Sequence, residues 1–526
     1  MGAVLLPTHA RILLRGAALG VLAGLCAGGA ARAAPSCESL AGMKVADGVV
    51  ESAKSTVASD MIVLGGGMPG LPAGAAFCRV KLRLKPTPAS DIQAEVWLPA
   101  AGAWNGKLLG GGNGGYGGSL AGPIIAMRGA VARGYMAAGT DMGHTVVSDI
   151  DASWALNQPE KVKDFGYRAN HLTALAAKAL SAAYYGSRPK LSYFHGCSDG
   201  GREALAEAQR FPDDYDAIAA GAPANPWTRL MSAFVWNSRA VAAGPLATSK
   251  LAVLTQAVMS QCDKLDGVRD GVLENPKTCH FDPGVVQCKA GDRADCLTAA
   301  EVATARKIYA GPTTQAGRSI YPGYAPGGEA IGWDGWITGP KASQGRFGTE
   351  FYRYMVFGDP RWDAAGFDID RDLKIAQSRQ GKTLDTDNPD LSAFTARGGK
   401  LMLYQGWADA AIPPQSTIDY YIAAKARTGA SKASLRLFMV PGMSHCLLGP
   451  GPNVFDVVST LDSWRSNGTA PERIVATKYD NDLFAYLGLP AKPVRTRPLC
   501  AYPKIARWNG SGSTDEAANF ACISAK

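Results

Sequence analysis

Several features are missing from this chain, and each absence removes a class of function. Beyond residue 30 no apolar run is long enough to span a bilayer, so no membrane partner is expected once an N-terminal leader is removed. No block of Lys or Arg occurs. The formal net charge of +9 is scattered over 526 residues, which argues for a mildly basic, solvated surface and against a nucleic-acid partner. No glycine loop is followed by Gly-Lys-Ser/Thr, so a nucleotide cradle is not expected. Paired short cysteine spacings with matching histidines are absent, which speaks against zinc. Histidine itself is scarce, six in all, so a catalytic base has few places to be.

What is present begins with a leader. Arg11 and Arg15 precede the apolar stretch Gly16 to Ala30, and Ala31-Arg32-Ala33 offers a small-residue cleavage site. This is the pattern of a secretion signal over residues 1–33. A lipid anchor on Cys26 is disfavoured by Leu25 before it. Setting Cys26 aside leaves ten of the 11 cysteines. An even count behind a signal implies a disulfide framework in an oxidising compartment, hence a secreted or periplasmic protein. Spacing suggests Cys262–Cys279, Cys288–Cys296 and Cys500–Cys522 as local closures, although the count alone leaves the pairing open.

The chemistry is concentrated in His195-Gly196-Cys197-Ser198-Asp199-Gly200-Gly201. The apolar run Leu191 to Phe194 reads as a buried strand, and Arg202 to Ala208 as a helix. Strand, turn with glycines two before and two after a serine, then helix is the pattern of a nucleophile elbow. An ordinary glycine-rich turn would look the same, so the downstream residues decide. An α/β-hydrolase places its acid and then its histidine after the serine, each behind a strand. Only His280 and His445 follow Ser198. His280 has no apolar strand before it; His445 follows the run Leu435 to Val440. Asp409 follows the strand-like Lys400 to Gly406 and is the expected orienting acid. If Ser198 and His445 meet, their neighbours Cys197 and Cys446 come within disulfide reach, which leaves Cys37 for Cys78; two small buried hydrophobes is the alternative.

The alternation of strands and helices from Cys37 to Ala222 predicts an α/β-hydrolase core, a mostly parallel sheet with helices on both faces. The rhythm breaks at about 225 and resumes near Leu391. The expected layout is therefore a first catalytic part at 34–224, a large inserted lid domain at 225–388 and a second catalytic part at 389–526. The stretch Lys107 to Gly118 is expected to follow a strand. Its glycines either bring a backbone N–H to an oxyanion hole, with the Asp199 N–H as the second donor, or form a plain surface loop. In the lid, Asp263, Asp266 and Asp270 are interleaved with Gly267 and Gly271. Such a loop can wrap oxygen ligands around calcium or be simply a solvated turn.

Taken together, Cys197-Ser198, Asp409 and His445-Cys446 resemble the signature of the tannase and feruloyl esterase family of α/β-hydrolases. The resemblance extends to Gly112-Asn113-Gly114-Gly115, to Asp164 through His171 and to Thr496 through Cys500. It implies a secreted serine esterase for small aromatic acid esters, with Ser198, His445 and Asp409 as triad and Gly115 and Asp199 as oxyanion donors. The five cysteine pairs agree with the family's pattern. A structural calcium would take the side chains of Asp263, Asp266 and Asp270 and the carbonyls of Val268 and Val272; no organic cofactor is implied. Lid aromatics Trp333, Trp336, Phe347 and Phe351, with Ile412, would meet a planar acyl ring, although lid aromatics also form a lid's own core. The family's terephthalate-monoester branch carries a lid arginine. Here Ser343 stands at that place with Arg346 nearby, which favours feruloyl or galloyl esters over a terephthalate monoester. A secreted serine peptidase is the remaining alternative.

Overall fold

The computed structural model describes residues 35–63, 70–146, 148–428 and 433–525. The expected signal peptide lies outside them. Ten strands form one sheet, in the order Lys44–Val45, Gly48–Thr56, Phe77–Leu84, Ile92–Pro99, Met136–Thr140, Lys107–Gly111, Leu191–Cys197, Ala217–Gly221, Lys400–Gly406, Leu435–Val440. The last six of these run parallel. The first four form an antiparallel meander, and Ile92–Pro99 pairs antiparallel with Met136–Thr140. Among the described residues no helix lies between Gly48 and Pro99, so the βα rhythm starts later than the sequence suggests.

Alternation along the strands splits the core in two. On Lys400–Gly406, Leu401 and Leu403 enter one apolar cluster while Met402 and Tyr404 enter the other. Helices Ala169–Tyr185, Asp199–Arg210 and Pro414–Arg427 cover the first face. Helices Ala121–Val131 and Val457–Asn467 cover the second.

This arrangement fixes where a site can form. From Lys107–Gly111 the chain crosses through Ala121–Val131, on one face, to Met136–Thr140. It then returns through Ala169–Tyr185, on the other face, to Leu191–Cys197, beside the strand it left. The loops after Lys107–Gly111 and Leu191–Cys197 therefore diverge to opposite sides and leave a crevice at the strands' carboxyl ends. Residues 112–118 and Ser198 occupy that crevice. The glycine stretch corrects one expectation: its first five residues are the strand itself, glycines included.

The expected lid, 225–388, lies between strands Ala217–Gly221 and Lys400–Gly406 and is helical, without a strand among its described residues. It packs into a single compact unit with the rest of Pro35–Lys526. Five disulfides are formed: Cys37–Cys78, Cys197–Cys446, Cys262–Cys279, Cys288–Cys296 and Cys500–Cys522. They fit an oxidising compartment. No helix of the described residues is long and apolar enough to cross a membrane.

Candidate active site

Ser198 caps helix Asp199–Arg210 with φ 65° and ψ −122°, a backbone state that a serine rarely holds. Close packing enforces it. A Cβ on Gly196 would stand 2.3 Å from the Gly200 carbonyl oxygen, and one on Gly201 2.3 Å from that of Gly221. The Ser198 N–H donates to the Gly221 carbonyl at 3.0 Å and pins the turn to the neighbouring strand. Only glycines let the strand turn so sharply into the helix, and the turn presents the serine oxygen to the crevice.

His445 follows strand Leu435–Val440. Its Nδ1 lies 2.9 Å from Asp409 Oδ2. Asp409 is buried and fully engaged. Its Oδ1 accepts from the Ala411 and Ile412 N–H groups at 2.8 and 2.9 Å, and its Oδ2 also accepts from Gln405 Nε2 at 2.9 Å. Thr417 Oγ1 in turn donates to Gln405 Oε1 at 2.8 Å. A carboxylate held this firmly fixes the ring and its tautomer. The Cys197–Cys446 disulfide, Cα–Cα 6.0 Å, clasps the serine turn to the histidine loop. Among the described residues no hydrogen bond joins the Ser198 hydroxyl to His445. Such bonds commonly tighten only when substrate is bound.

Ser198 and His445 line one cavity of about 410 Å³. Gly112 to Gly115 form its floor together with Asp199. The loop is tied down on several sides: Gly200 N–H donates to Asn113 O at 2.9 Å, Asn113 Nδ2 to Thr140 O at 2.7 Å, and Tyr116 N–H to Asp149 O at 2.7 Å. Gly115 has φ 58°, and a Cβ there would meet Asp149 O at 2.4 Å. Among the described residues neither the Gly115 nor the Asp199 N–H is taken by another protein group. A strained serine, a carboxylate-held histidine and two spare N–H groups around one cavity can perform acyl transfer.

Known proteins resemble this chain in sequence and fold. The family model for tannase and feruloyl esterase matches residues 78–523. The chain belongs to this family. The esterase is 37% identical over 562 residues to an uncharacterized esterase of Xanthomonas campestris, covering 98% of this chain and 95% of that one. It is 34% identical to the mono(2-hydroxyethyl) terephthalate hydrolase of Piscinibacter sakaiensis, covering 82% and 81%. The crystal structure of feruloyl esterase B from Aspergillus oryzae superposes with a TM-score of 0.81 at 29% identity, covering 93% of this chain and 99% of that one. The protein is a carboxylic ester hydrolase.

The esterase brings some expected residues to the cavity and not others. Trp336, Phe347 and Ile412 line it; the Trp336 and Phe347 rings are near parallel, 6.3 Å apart, and Trp336 meets His445 edge-on at 5.0 Å. Trp333 and Phe351 do not. Trp333 is buried against Tyr309 in the lid's own core, and Phe351 is buried beside Tyr352. In their place stand Trp227, Leu230, Met231 and Phe234, one face of helix Trp227–Ala243. Their i, i+3, i+4, i+7 spacing marks an apolar helix face in the sequence, but not that the face lines a cavity. Ser343 lines the cavity, while Arg346 lines a neighbouring one with Glu350 and Arg353. Among the described residues no Lys or Arg lines the serine's cavity.

The other histidines of the catalytic part have partners of their own, although His195 also lines the cavity. His144 Nε2 pairs with Tyr116 O at 2.8 Å and its ring stacks on Trp154; burial pushes its pKa down to about 4. His195 pairs with the Tyr404 hydroxyl at 2.9 Å, and burial likewise lowers it to about 4. His171 Nδ1 is 2.5 Å from Asp214 Oδ2, away from the serine.

The lid's acidic loop is folded on itself. Asp263 accepts from Gly271 N–H, Asp266 from Val268 and Glu274 N–H, and Asp270 from Val272 N–H and Arg497. Burial, with the nearby Asp270 charge adding, raises the carboxyls of Asp263 and Asp266, the latter to about 6. Arg495 and Arg497 already pair with Asp270, so the carboxylates a hard cation would still relieve are those of Asp263 and Asp266. Among the described residues, however, no three acidic, His or Cys side chains converge as ligands. The charge fits calcium; the convergence of the side chains does not.

Proposed function

We propose that this esterase cleaves esters of small aromatic acids, hydroxycinnamoyl or galloyl, through Ser198, His445 and Asp409. His445 Nε2 takes the Ser198 proton as the oxygen attacks the ester carbonyl. The tetrahedral oxyanion rests on the Gly115 and Asp199 N–H groups. Its collapse breaks the C–O bond, and the proton on His445 passes to the leaving alcohol. Water, deprotonated by the same histidine, then attacks the acyl-serine and releases the acid. Asp409 holds the ring and balances its positive charge.

The observation that carries this reading is the shared cavity. An Asp409-buttressed His445 and a strained Ser198 open onto flat apolar walls from Trp336, Phe347 and helix Trp227–Ala243. A relative named for a terephthalate monoester keeps that substrate in view. The absence of a cationic lining residue among those described disfavours an acyl group with a free carboxylate. Export as a secreted or periplasmic enzyme and calcium at residues 263–272 belong to the same proposal. The test is turnover of methyl ferulate, methyl gallate and mono(2-hydroxyethyl) terephthalate, beside Ser198→Ala. The two methyl esters should be preferred, with activity falling by at least about 10⁴-fold in the variant. Activity persisting in Ser198→Ala refutes the triad, and preference for the terephthalate monoester refutes the acyl assignment.

A further inference from the structure

We propose that Glu203 is a positioning residue of this esterase, one side chain that sets the separation between the two backbone segments offered to the oxyanion. The proposal rests on Gly115 and Asp199 as the donors.

Glu203 lies four residues after Asp199 on helix Asp199–Arg210, so the two side chains share a face. Both are buried, an uncommon state for a Glu in the helix behind an active serine. Glu203 Oε2 accepts from the Asn113 N–H at 3.1 Å, two residues ahead of Gly115. The loop is packed on that oxygen: a Cβ on Gly112 would stand 3.0 Å from it. At its other end Glu203 shares a helix face with Asp199, one turn back, whose charge acts on it. Asp199 Oδ1 is taken by Arg202 Nε at 2.5 Å, and Arg202 is itself anchored on the Gly166 and Phe165 carbonyls. What remains is Asp199 Oδ2 and Glu203 Oε1, two buried carboxyl oxygens without a hydrogen-bond partner among the described residues.

Two such oxygens on one helix face, a turn apart in a dry site, favour a shared proton, since ionising both acids there is costly. Burial first, and the Asp199 charge next, hold the Glu203 carboxyl well above its ordinary range; Arg202 opposes this more weakly. Glu203 is therefore the neutral partner. Its O–H donates to Asp199 while its other oxygen accepts from Asn113. Burial first, and the Asp214 charge next, likewise raise the carboxyl of Glu207, one turn on. Glu203 does not line the cavity. It acts on the reaction through Asn113 and Asp199, as a strut between the glycine loop and the serine turn.

The test compares Glu203→Gln with Glu203→Leu, with Ser198→Ala as control. An amide copies the neutral acid, with N–H to Asp199 and C=O from Asn113. Gln should keep kcat within about threefold, while Leu, which has neither group, should lower kcat about 10- to 100-fold with KM within about threefold. A Leu variant with unchanged kcat overturns the proposal. So does a Gln variant as damaged as Leu, because the side chain would then act as a charge. If the Leu variant does not fold, Gln kinetics and infrared spectra decide. The wild type should show a carboxylic-acid carbonyl band at mildly alkaline pH that Glu203→Gln lacks, and identical spectra overturn the proposal. Loss of activity in Ser198→Ala with both Glu203 variants intact overturns only the strut; activity surviving in Ser198→Ala overturns the triad beneath it as well.

Discussion

Replacing both Cys197 and Cys446 by Ala should lower both stability and turnover. The bond joins residues 249 positions apart. Closing a loop of that length in the unfolded chain corresponds to a ceiling of about 5.5 kcal/mol on the chain-entropy account, and measured losses fall below such ceilings, so about 4 kcal/mol is expected. The nested Cys262–Cys279 and Cys288–Cys296 loops shorten the free chain by 17 and 8 positions, which barely changes a logarithm. Alanine is the right replacement because Cys446 sits at φ 63°. A Cβ is retained, so backbone strain is held constant and only the bond is lost. The kinetic effect follows from what the bond joins. Ser198 and His445 are the residues beside its two ends, and a shift of about 1 Å between reacting groups costs up to about 10²-fold in rate, so kcat should fall about tenfold with KM nearly constant. Guanidinium unfolding by tryptophan fluorescence and steady-state kinetics on one ester read both effects. An unchanged unfolding midpoint together with an unchanged kcat would refute the clasp.

Asp409→Asn should lower kcat about 10⁴-fold near neutral pH, because the amide favours the wrong ring tautomer while the protein stays folded; a fall of less than about tenfold in kinetic assays contradicts its role. Asp141 accepts from the Gln93 and Gly143 N–H groups with its other oxygen buried and unpartnered, and burial raises its pKa to about 7. A raised acid contributes stability below its ordinary pKa and loses it as pH rises through the folded value. Wild type should therefore lose up to about 4 kcal/mol relative to Asp141→Asn between about pH 4 and pH 8, and a pH-independent gap in urea midpoints contradicts this. Exhaustive chelation should lower the thermal midpoint if residues 263–272 hold calcium, and Asp266→Ala should abolish that response; no shift points to a self-contained polar turn.

Strands Lys400–Gly406 and Leu435–Val440 were legible to the residue, because mostly apolar runs of six or seven residues ending at Gly406 or before Pro441 read as buried strands. Strand Lys107–Gly111 was hidden by its own glycines, which read as loop. Within the meander Gly48–Pro99, Ala94 to Leu98 is legible as a strand by its alternation, whereas Gly48–Thr56 has too few apolar residues to mark it. The spatial meeting of Ser198 and His445 was readable from their order and their adjacent cysteines. The pocket wall was not. An apolar stripe facing a cavity has the same spacing as one facing a core, so Trp336 and Trp333 were indistinguishable, and so were the stripe of Trp227 and any other. Glu203 was invisible for the opposite reason: in Arg202 to Arg210 it reads as the polar face of a solvated helix, and only the tertiary fold buries it.

The Cys197–Cys446 bond turns the middle of the chain into a covalent ring that contains the whole lid. Inside such a ring, length is nearly free: doubling the enclosed segment adds only about 0.6 kcal/mol of closure entropy. Insertions, deletions or wholesale replacement of the lid leave the serine and histidine anchored to each other regardless. The segment that shapes the acyl pocket is thereby mechanically decoupled from the segment that performs the chemistry. A lineage built this way can change what it cleaves by rewriting the lid without reassembling the means of cleavage.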